Sequence, residues 1–111
     1  MTVEYFLEKK NTLNKNKMFA ISFDMVISDL KKHYGEPYNN AYFEISTILE
    51  TYNFFRAQGS LYLCENNDMS NLVDAIDALT DKEWFAKSVR DIRAFKIEDW
   101  SNFTSRVKRN A

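Results

Sequence analysis

Apolar residues in this chain fall into short extended runs that are separated by helical patterns. The first run, residues 18–23, is continuous, rich in Phe and Ile, and followed by Asp24. Such a run is typical of a buried strand whose end reaches the edge of a sheet. Residues 54–58 and 60–65 are aromatic-rich runs, and residues 89–98 alternate between two faces. The pattern therefore predicts four strands.

Two helices are predicted between these strands. After a polar connection that could itself be helical, residues 37–52 carry Tyr42, Ile45, Leu49 and Tyr52 at spacings of three, four and three. Asp68 can cap a second helix, whose apolar face would consist of Met69, Leu72, Val73, Ile76 and Leu79. The order βαββαβ is that of a ferredoxin-like α+β fold, in which both helices cover one face of a four-stranded antiparallel sheet.

Shorter features flank this arrangement. Thr80 and Glu83 have the spacing of a capping box for a short turn. Ser101 is placed to cap a short C-terminal helix, with an apolar edge formed by Trp100, Phe103 and Val107. Residues 1–17 have a short amphipathic start and a polar stretch rich in Asn and Lys, so we expect an N-terminal extension beside one domain at residues 18–111.

Composition supports a single globular domain. The chain has 111 residues, of which 45% are apolar and 28% charged. A domain of this size buries only about two thirds of its unfolded surface, so pairing into a homodimer is expected to stabilise it. No apolar run approaches a membrane span and no signal-peptide pattern is present, which predicts a cytoplasmic protein. Cys64, the one cysteine, lies among apolar residues and is expected to be buried and inert.

Charge is distributed unevenly although the net charge is only −1. Residues 84–111 hold seven bases and three acids, whereas residues 18–83 hold four bases and eleven acids. The asymmetry is compatible with a local phosphate site, and the near-neutral total argues against a protein that coats nucleic acid. The usual nucleotide-cofactor and zinc motifs do not occur, so no organic cofactor is expected.

The predicted topology brings distant charged residues together. In a ferredoxin-like sheet the first and last strands are antiparallel neighbours, so Asp24 should lie beside Arg90 and Asp91. Two close carboxylates could act as acid and base or share a metal ion. Alternatively, Asp91 simply pairs with Arg90 or Arg93. In a regular strand Arg93 shares the face of Asp91 and Arg90 does not.

Four segments in this order resemble the virulence-associated protein D (VapD) family: MFAISFD, YGEPYNNAY, QGSLY and EWFAKSVRDIRAFKIEDWSNF. The resemblance covers about residues 18–105. It implies a dimeric, ferredoxin-like endoribonuclease, often the toxin of a toxin–antitoxin pair, akin to the small nuclease-like subunit of CRISPR adaptation. It also implies functional residues, with Asp24, Ser60 and Asp91 as the catalytic set and Gln58, Arg90 and Arg93 as substrate-binding candidates.

The implied chemistry suits these residue types. Cleavage of an RNA phosphodiester needs a base on the attacking oxygen and positive charge near the phosphate. Asp24 could accept the proton of a 2′-hydroxyl or hold Mg²⁺ with substrate oxygens. Ser60, beside Gly59, is expected to orient substrate, unless it belongs to a merely polar turn. His33 is expected at the surface, outside the site.

Two other functions are compatible with the same residues. The first is a non-catalytic ferredoxin-like dimer that binds nucleic acid or protein, because a fold alone does not fix an activity. The second is a regulated protein whose partner is an antitoxin and whose cleavage activity is normally silenced. Neither is distinguished from the enzyme by the residue pattern.

Overall fold

The computed structural model describes residues 18–66, 68–99 and 101–111, so the predicted extension at residues 1–17 and the side chain of Trp100 lie outside the described residues. One antiparallel sheet contains β1 (Met18–Met25), β2 (Phe54–Gln58), β3 (Leu61–Cys64) and β4 (Val89–Ile97). The strand order is β2-β3-β1-β4. This is the order that the ferredoxin-like prediction requires, and it is confirmed.

The helices are α1 (Ile27–His33), α2 (Asn40–Thr51), α3 (Met69–Thr80), α4 (Glu83–Ser88) and α5 (Thr104–Lys108). Helices α2 and α3 are the two that the sequence predicts. The polar connection after β1 forms α1, and the expected short turn before β4 forms α4. No helix in the described ranges has the length and apolar content needed to cross a membrane.

Alternation along β1 divides the apolar residues between the two faces of the sheet. Phe19, Ile21 and Phe23 point to the helices and belong to the main core, together with Leu30, Ile45, Leu49, Leu72, Leu79 and Phe85. Met18 and Ala20 point to the opposite face, where a second cluster includes Leu63, Ile97, Ala57 and Leu61. The helices therefore cover one face of the sheet, which confirms the predicted α+β architecture.

The start of α3 confirms one prediction, and its apolar face corrects another. The Asp68 carboxylate accepts a hydrogen bond from the Ser70 backbone N–H at 2.9 Å, so Asp68 caps the helix as predicted. Met69 and Val73, predicted to face the core, are exposed. The buried stripe is narrower and consists of Leu72, Ala75 and Leu79, because only this side of the helix meets the sheet.

Two predicted caps are wrong. Thr80 is the last residue of α3, and its hydroxyl donates back to the Ile76 carbonyl at 2.9 Å, so it does not cap α4. Helix α4 follows Lys82, which makes no side-chain cap. At the C-terminus Phe103, and not Ser101, holds the N-cap position of α5 and makes no side-chain cap. The Asn102 side-chain oxygen accepts from the Thr104 backbone N–H at 2.9 Å just before the helix.

The predicted apolar edge of the C-terminal helix is not packed where the structure describes it. Phe103 is 62% exposed and Val107 is also exposed. Helix α5 has only five residues and no buried one. Such a short helix has too little surface to bury an apolar stripe, so its two described apolar side chains face solvent.

Candidate active site

The site lies where β1 ends between two other segments. Asp24 of β1 and Asp91 of β4 are direct cross-strand partners. On the other side of β1, the Phe23 backbone N–H donates to the Ser60 carbonyl at 3.2 Å. The three residues predicted as catalytic therefore come from three segments that meet at one end of the sheet. Their proximity follows from the strand order, because β1 is hydrogen-bonded to both β3 and β4.

Local backbone geometry exposes the Asp24 side chain at this point. The β1–β4 register shifts between Asp24 and Met25. The chain then turns at Val26, whose N–H donates to the Ser88 carbonyl at 2.8 Å, before α1 begins. Such irregularities at a strand end redirect side chains. Asp24 is exposed, whereas its neighbours Phe23 and Met25 are buried in the core.

Each carboxylate of the pair has an arginine beside it. The Arg93 Nε donates to the Asp91 Oδ2 at 3.0 Å, and the Arg90 Nη1 lies 3.8 Å from the Asp24 Oδ2. The Asp91 carboxylate holds the pKa of the Arg93 guanidinium above its ordinary value. Like charges directly opposite on a sheet repel each other, and the two arginines offset that repulsion. All four side chains are solvent-exposed, so the ion pairs are weak enough for a phosphate to replace a carboxylate partner.

The contact of Arg93 with Asp91 is the one that strand alternation predicts, whereas the contact of Arg90 with Asp24 was not predicted. Arg93 meets Asp91, as expected for residues two apart on a strand. Parity places Arg90 on the other face, yet its guanidinium reaches Asp24. Arg90 lies next to Val89, the residue at which the pairing with β1 resumes after the register shift. The irregular pairing explains why simple alternation does not apply there.

Next to the turn between β2 and β3 lies one residue, Arg56 of β2, that the sequence did not single out. Gly59 has a positive φ of 49°, which makes the tight turn possible. The Arg56 Nε donates to the Gly59 carbonyl at 2.7 Å, so this arginine is fixed against the turn. Gln58 is exposed at the end of β2, separated from β1 by β3. In the sequence FFRAQ of β2, Arg56 is a base between apolar residues. This unusual position is the signal that could have indicated a functional role for Arg56.

Sequence comparisons place this geometry in a family. A family model described as "CRISPR associated protein Cas2" matches residues 17–104. "Endoribonuclease VapD 1" of Riemerella anatipestifer is 67% identical over 87 residues, which cover 78% of this chain and 98% of the relative. "Endoribonuclease VapD" of Dichelobacter nodosus is 55% identical over 91 residues, 82% of this chain and 98% of the relative. The chain belongs to the VapD family. "Endoribonuclease VapD" of Helicobacter pylori is 50% identical over 93 residues, 82% of this chain and 99% of the relative.

A divalent metal ion fits this VapD site only in part. Within residues 18–66, 68–99 and 101–111, no group of three or more His, Cys, Asp or Glu side chains is arranged to hold a metal ion. Mg²⁺ is often held by one or two carboxylates, with substrate phosphates and water completing the shell. Asp24 and Asp91 could supply those two carboxylates. Their present partners are arginines, which favour an anionic ligand over a cation.

Two other candidates lie outside this VapD site. Cys64 is fully buried, and burial raises the pKa of its thiol, which confirms the expectation of an unreactive cysteine. His33, half-buried, lines a separate cavity of about 260 Å³ with Glu83, Trp84 and Lys87. Neither residue lies at the end of β1 where Asp24 and Asp91 meet.

Proposed function

We propose that this VapD chain is an endoribonuclease whose site is centred on Asp24. The observation that carries the proposal is the direct pairing of Asp24 with Asp91 at the end of the sheet, with an arginine beside each carboxylate. A carboxylate base and a cation for the phosphate are the two groups that RNA cleavage requires. The names of the VapD relatives support the same activity.

In the proposed mechanism, Asp24 accepts the proton of the ribose 2′-hydroxyl. The 2′-oxygen then attacks the neighbouring phosphorus, and the bond from phosphorus to the 5′-oxygen breaks. The products are a 2′,3′-cyclic phosphate and a 5′-hydroxyl, whose proton comes from solvent. Arg93, held by Asp91, stabilises the charge that develops on the phosphate. The Ser60 hydroxyl orients the substrate.

The reaction has a direct test in the substrate. One 2′-deoxynucleotide placed on the 5′ side of the cleaved linkage should abolish cleavage at that linkage, because it removes the 2′-hydroxyl that acts as the nucleophile. The products from all-RNA should end in a cyclic phosphate. Both results can be read by mass spectrometry after incubation with the purified protein, and a 2′-deoxynucleotide placed one linkage away is the matched control.

The opposite result would indicate metal-assisted hydrolysis. If the deoxy substrate is still cut and a chelator stops the reaction, Asp24 and Asp91 hold Mg²⁺ instead of moving a proton. The ion would then supply positive charge to the phosphate. If wild-type protein binds RNA and cuts neither substrate, the chain is a binding module.

We further propose that two copies pair through the sheet face opposite to the helices. Ala57 and Leu61 are half-buried on this face, and Phe95, which is 43% exposed, lies on the edge strand of the same sheet. Phe95 pairs with Ala20 across the sheet, so it lies on the face opposite to the helices. Met18, Ala20 and Leu63 on this face are already buried, so Phe95 and the half-buried Ala57 and Leu61 are the apolar surface that a second copy would cover.

Phe95→Glu tests the pairing. The carboxylate would be buried without a partner in a dimer, so sedimentation analysis should find wild-type dimers and monomers of the variant. Phe103→Glu, which changes an exposed phenylalanine outside the sheet, should leave the dimer unchanged. A variant at position 95 that sediments like the wild type would contradict this interface.

The toxin–antitoxin pairing remains a prediction from the family resemblance. Met69 and Val73 form an exposed apolar patch on α3, on the helix-covered side of the sheet. We propose that an antitoxin protein binds to this patch. Co-purification of the chain with the product of a neighbouring gene, lost on Val73→Glu, would support the pairing.

A further inference from the structure

One face of α2 lies beside its core face and is only partly covered by the core. The core face of the helix consists of Ala41, Ile45 and Leu49. A second face contains positions spaced three, four and seven residues apart, namely Asn39, Tyr42, Phe43 and Ser46. Phe43 is 72% exposed, the largest exposed fraction of any phenylalanine in the described residues. This second face looks toward the β2–β3 turn.

A cavity of about 650 Å³ lies between that face and the turn. Its lining is aromatic on the helix and sheet sides and polar at the turn, with Phe23, Tyr42, Phe43, Tyr62, Arg56 and Ser60 among its residues. The rings of Phe23 and Tyr62 stack, with centroids 5.9 Å apart and planes 22° from parallel. The volume lies within the range of small-ligand sites, which is roughly 300–1,000 Å³.

The polar groups of this cavity are held in place. The hydroxyls of Ser46 and Tyr62 are hydrogen-bonded at 2.5 Å, which fixes one end of the lining. The Arg56 Nε bonds the Gly59 carbonyl, and its terminal nitrogens make no hydrogen bond or ion pair within the described ranges. A planar guanidinium presented in this way can pair with a base edge or a phosphate.

The cavity adjoins the proposed catalytic site. Phe23, part of its lining, immediately precedes Asp24, whose side chain lies on the opposite face of the sheet by strand alternation. Ser60 lines the cavity, and its carbonyl accepts a hydrogen bond from the Phe23 backbone N–H at the end of the sheet where Asp24 lies. Burial, then the neighbouring Tyr38 and the Asp24 charge, raise the pKa of Tyr42, so its hydroxyl stays protonated at neutral pH. A nucleotide bound with its base in the cavity would reach Asp24 with its sugar and phosphate around the exposed end of β1, where the Asp24 charge acts on Tyr42.

We propose that this cavity is the subsite for one nucleobase of the substrate, stacked on Phe43 and contacted at its edge by Arg56. The chemistry fits a base better than an apolar ligand. Aromatic faces and a guanidinium plane are the usual surfaces for unpaired bases, and hydroxyls serve their polar edges. The inference rests on the proposed RNA-cleaving function, because it assigns a part of the substrate to the same site.

Binding without turnover tests the subsite. Fluorescein-labelled 12-nucleotide RNA would be titrated, by anisotropy, into full-length protein carrying Asp24→Asn, alone and combined with Phe43→Ala. We expect Phe43→Ala to raise the Kd roughly tenfold, the order found for loss of one stacked base. Phe103→Ala is the matched control, since Phe103 is similarly exposed at 62% and lies outside the cavity; it should change the Kd less than twofold.

A second series identifies the base. Each nucleotide in turn would be replaced by an abasic ribose, and the Kd measured with and without Phe43→Ala. One abasic position should weaken binding to the Asp24→Asn protein and have little further effect once Phe43 is removed. If the abasic penalty is equal in both proteins at every position, or if Phe43→Ala and Phe103→Ala behave alike, the subsite is wrong.

These measurements separate the subsite from the proposed activity. If wild-type protein cleaves RNA but Phe43→Ala binds as tightly as its parent, the subsite fails and the activity stands. If Phe43→Ala weakens binding and wild-type protein never cleaves, the activity fails and the subsite stands. Because Phe43 is mostly exposed, its truncation leaves the core intact, and a circular dichroism melt verifies this.

Discussion

Asp24→Asn is expected to reduce the cleavage rate of defined RNA by at least about 100-fold, the lower end of the effect of losing a general base. The amide has nearly the same size, but it cannot accept the 2′-hydroxyl proton. Single-turnover kinetics with purified protein should show the loss in the chemical step, with the Kd for RNA changed little. Asp74→Asn, an exposed aspartate on α3, is the control and should cleave normally.

The same substitution should not weaken the fold. Asp24 and Asp91 are like charges placed directly opposite each other, an arrangement that opposes folding. Removing one charge should leave the free energy of unfolding unchanged or raise it, as measured by urea denaturation. An inactive variant that is clearly less stable than wild type would instead indicate that Asp24 has a structural role. A variant that cleaves at the normal rate would refute the mechanism, provided that contaminating ribonuclease is excluded.

Arg93→Gln should lower the rate of the chemical step by roughly 100-fold, comparable to the loss of one donor to a developing oxyanion. The substitution removes the cation that Asp91 holds at 3.0 Å. Arg93→Lys should recover part of the rate, because it restores charge without the planar fork. The dependence of RNA binding on salt should also become less steep, since one phosphate contact is lost.

Lys96 provides the matched control for this experiment. It is a base on the same strand, but its Nζ lies over the Phe19 ring at 5.3 Å from the centroid, on the helix-covered face. Lys96→Gln should retain the rate within about threefold, as expected for a charge far from the phosphate. Equal losses for positions 93 and 96 would mean that β4 contributes only general positive charge, which would contradict a specific role of Arg93 at the phosphate.

The strand pattern was sufficient to predict the fold, because β1 is buried on both faces and gives a continuous apolar run, whereas β4 is largely exposed and gives an alternating one. Residues 18–23 and 89–98 predicted a central strand and its edge neighbour, and their pairing brings Asp24 opposite Asp91. The segment of α1 could be interpreted only as a polar connection that could be helical, because Leu30 is its one buried residue. One buried position gives no helical period to detect. The cap at Thr80 was mispredicted because a hydroxyl near a helix end can bond backward to a carbonyl as well as forward.

The candidate site was predictable only where topology determines it. Asp24, Ser60 and Asp91 lie on neighbouring segments of one sheet, so strand order is enough to bring them together. Phe43 and Arg56 belong to a cavity between a helix and a turn. Its shape depends on the angle at which α2 packs, and no short sequence pattern encodes that angle.

The position of β4 at the edge of the sheet has a consequence for when the protein becomes active. Asp91 and both arginines arrive on this last strand, which is separated from β1 by more than half of the chain and is mostly exposed along its length. Because synthesis proceeds from the N-terminus, a ribosome-bound chain in which β4 has not yet emerged has no assembled site. The enzyme proposed here would thus be inert while it is being synthesised, and its cleavage activity would depend on the docking of a single strand.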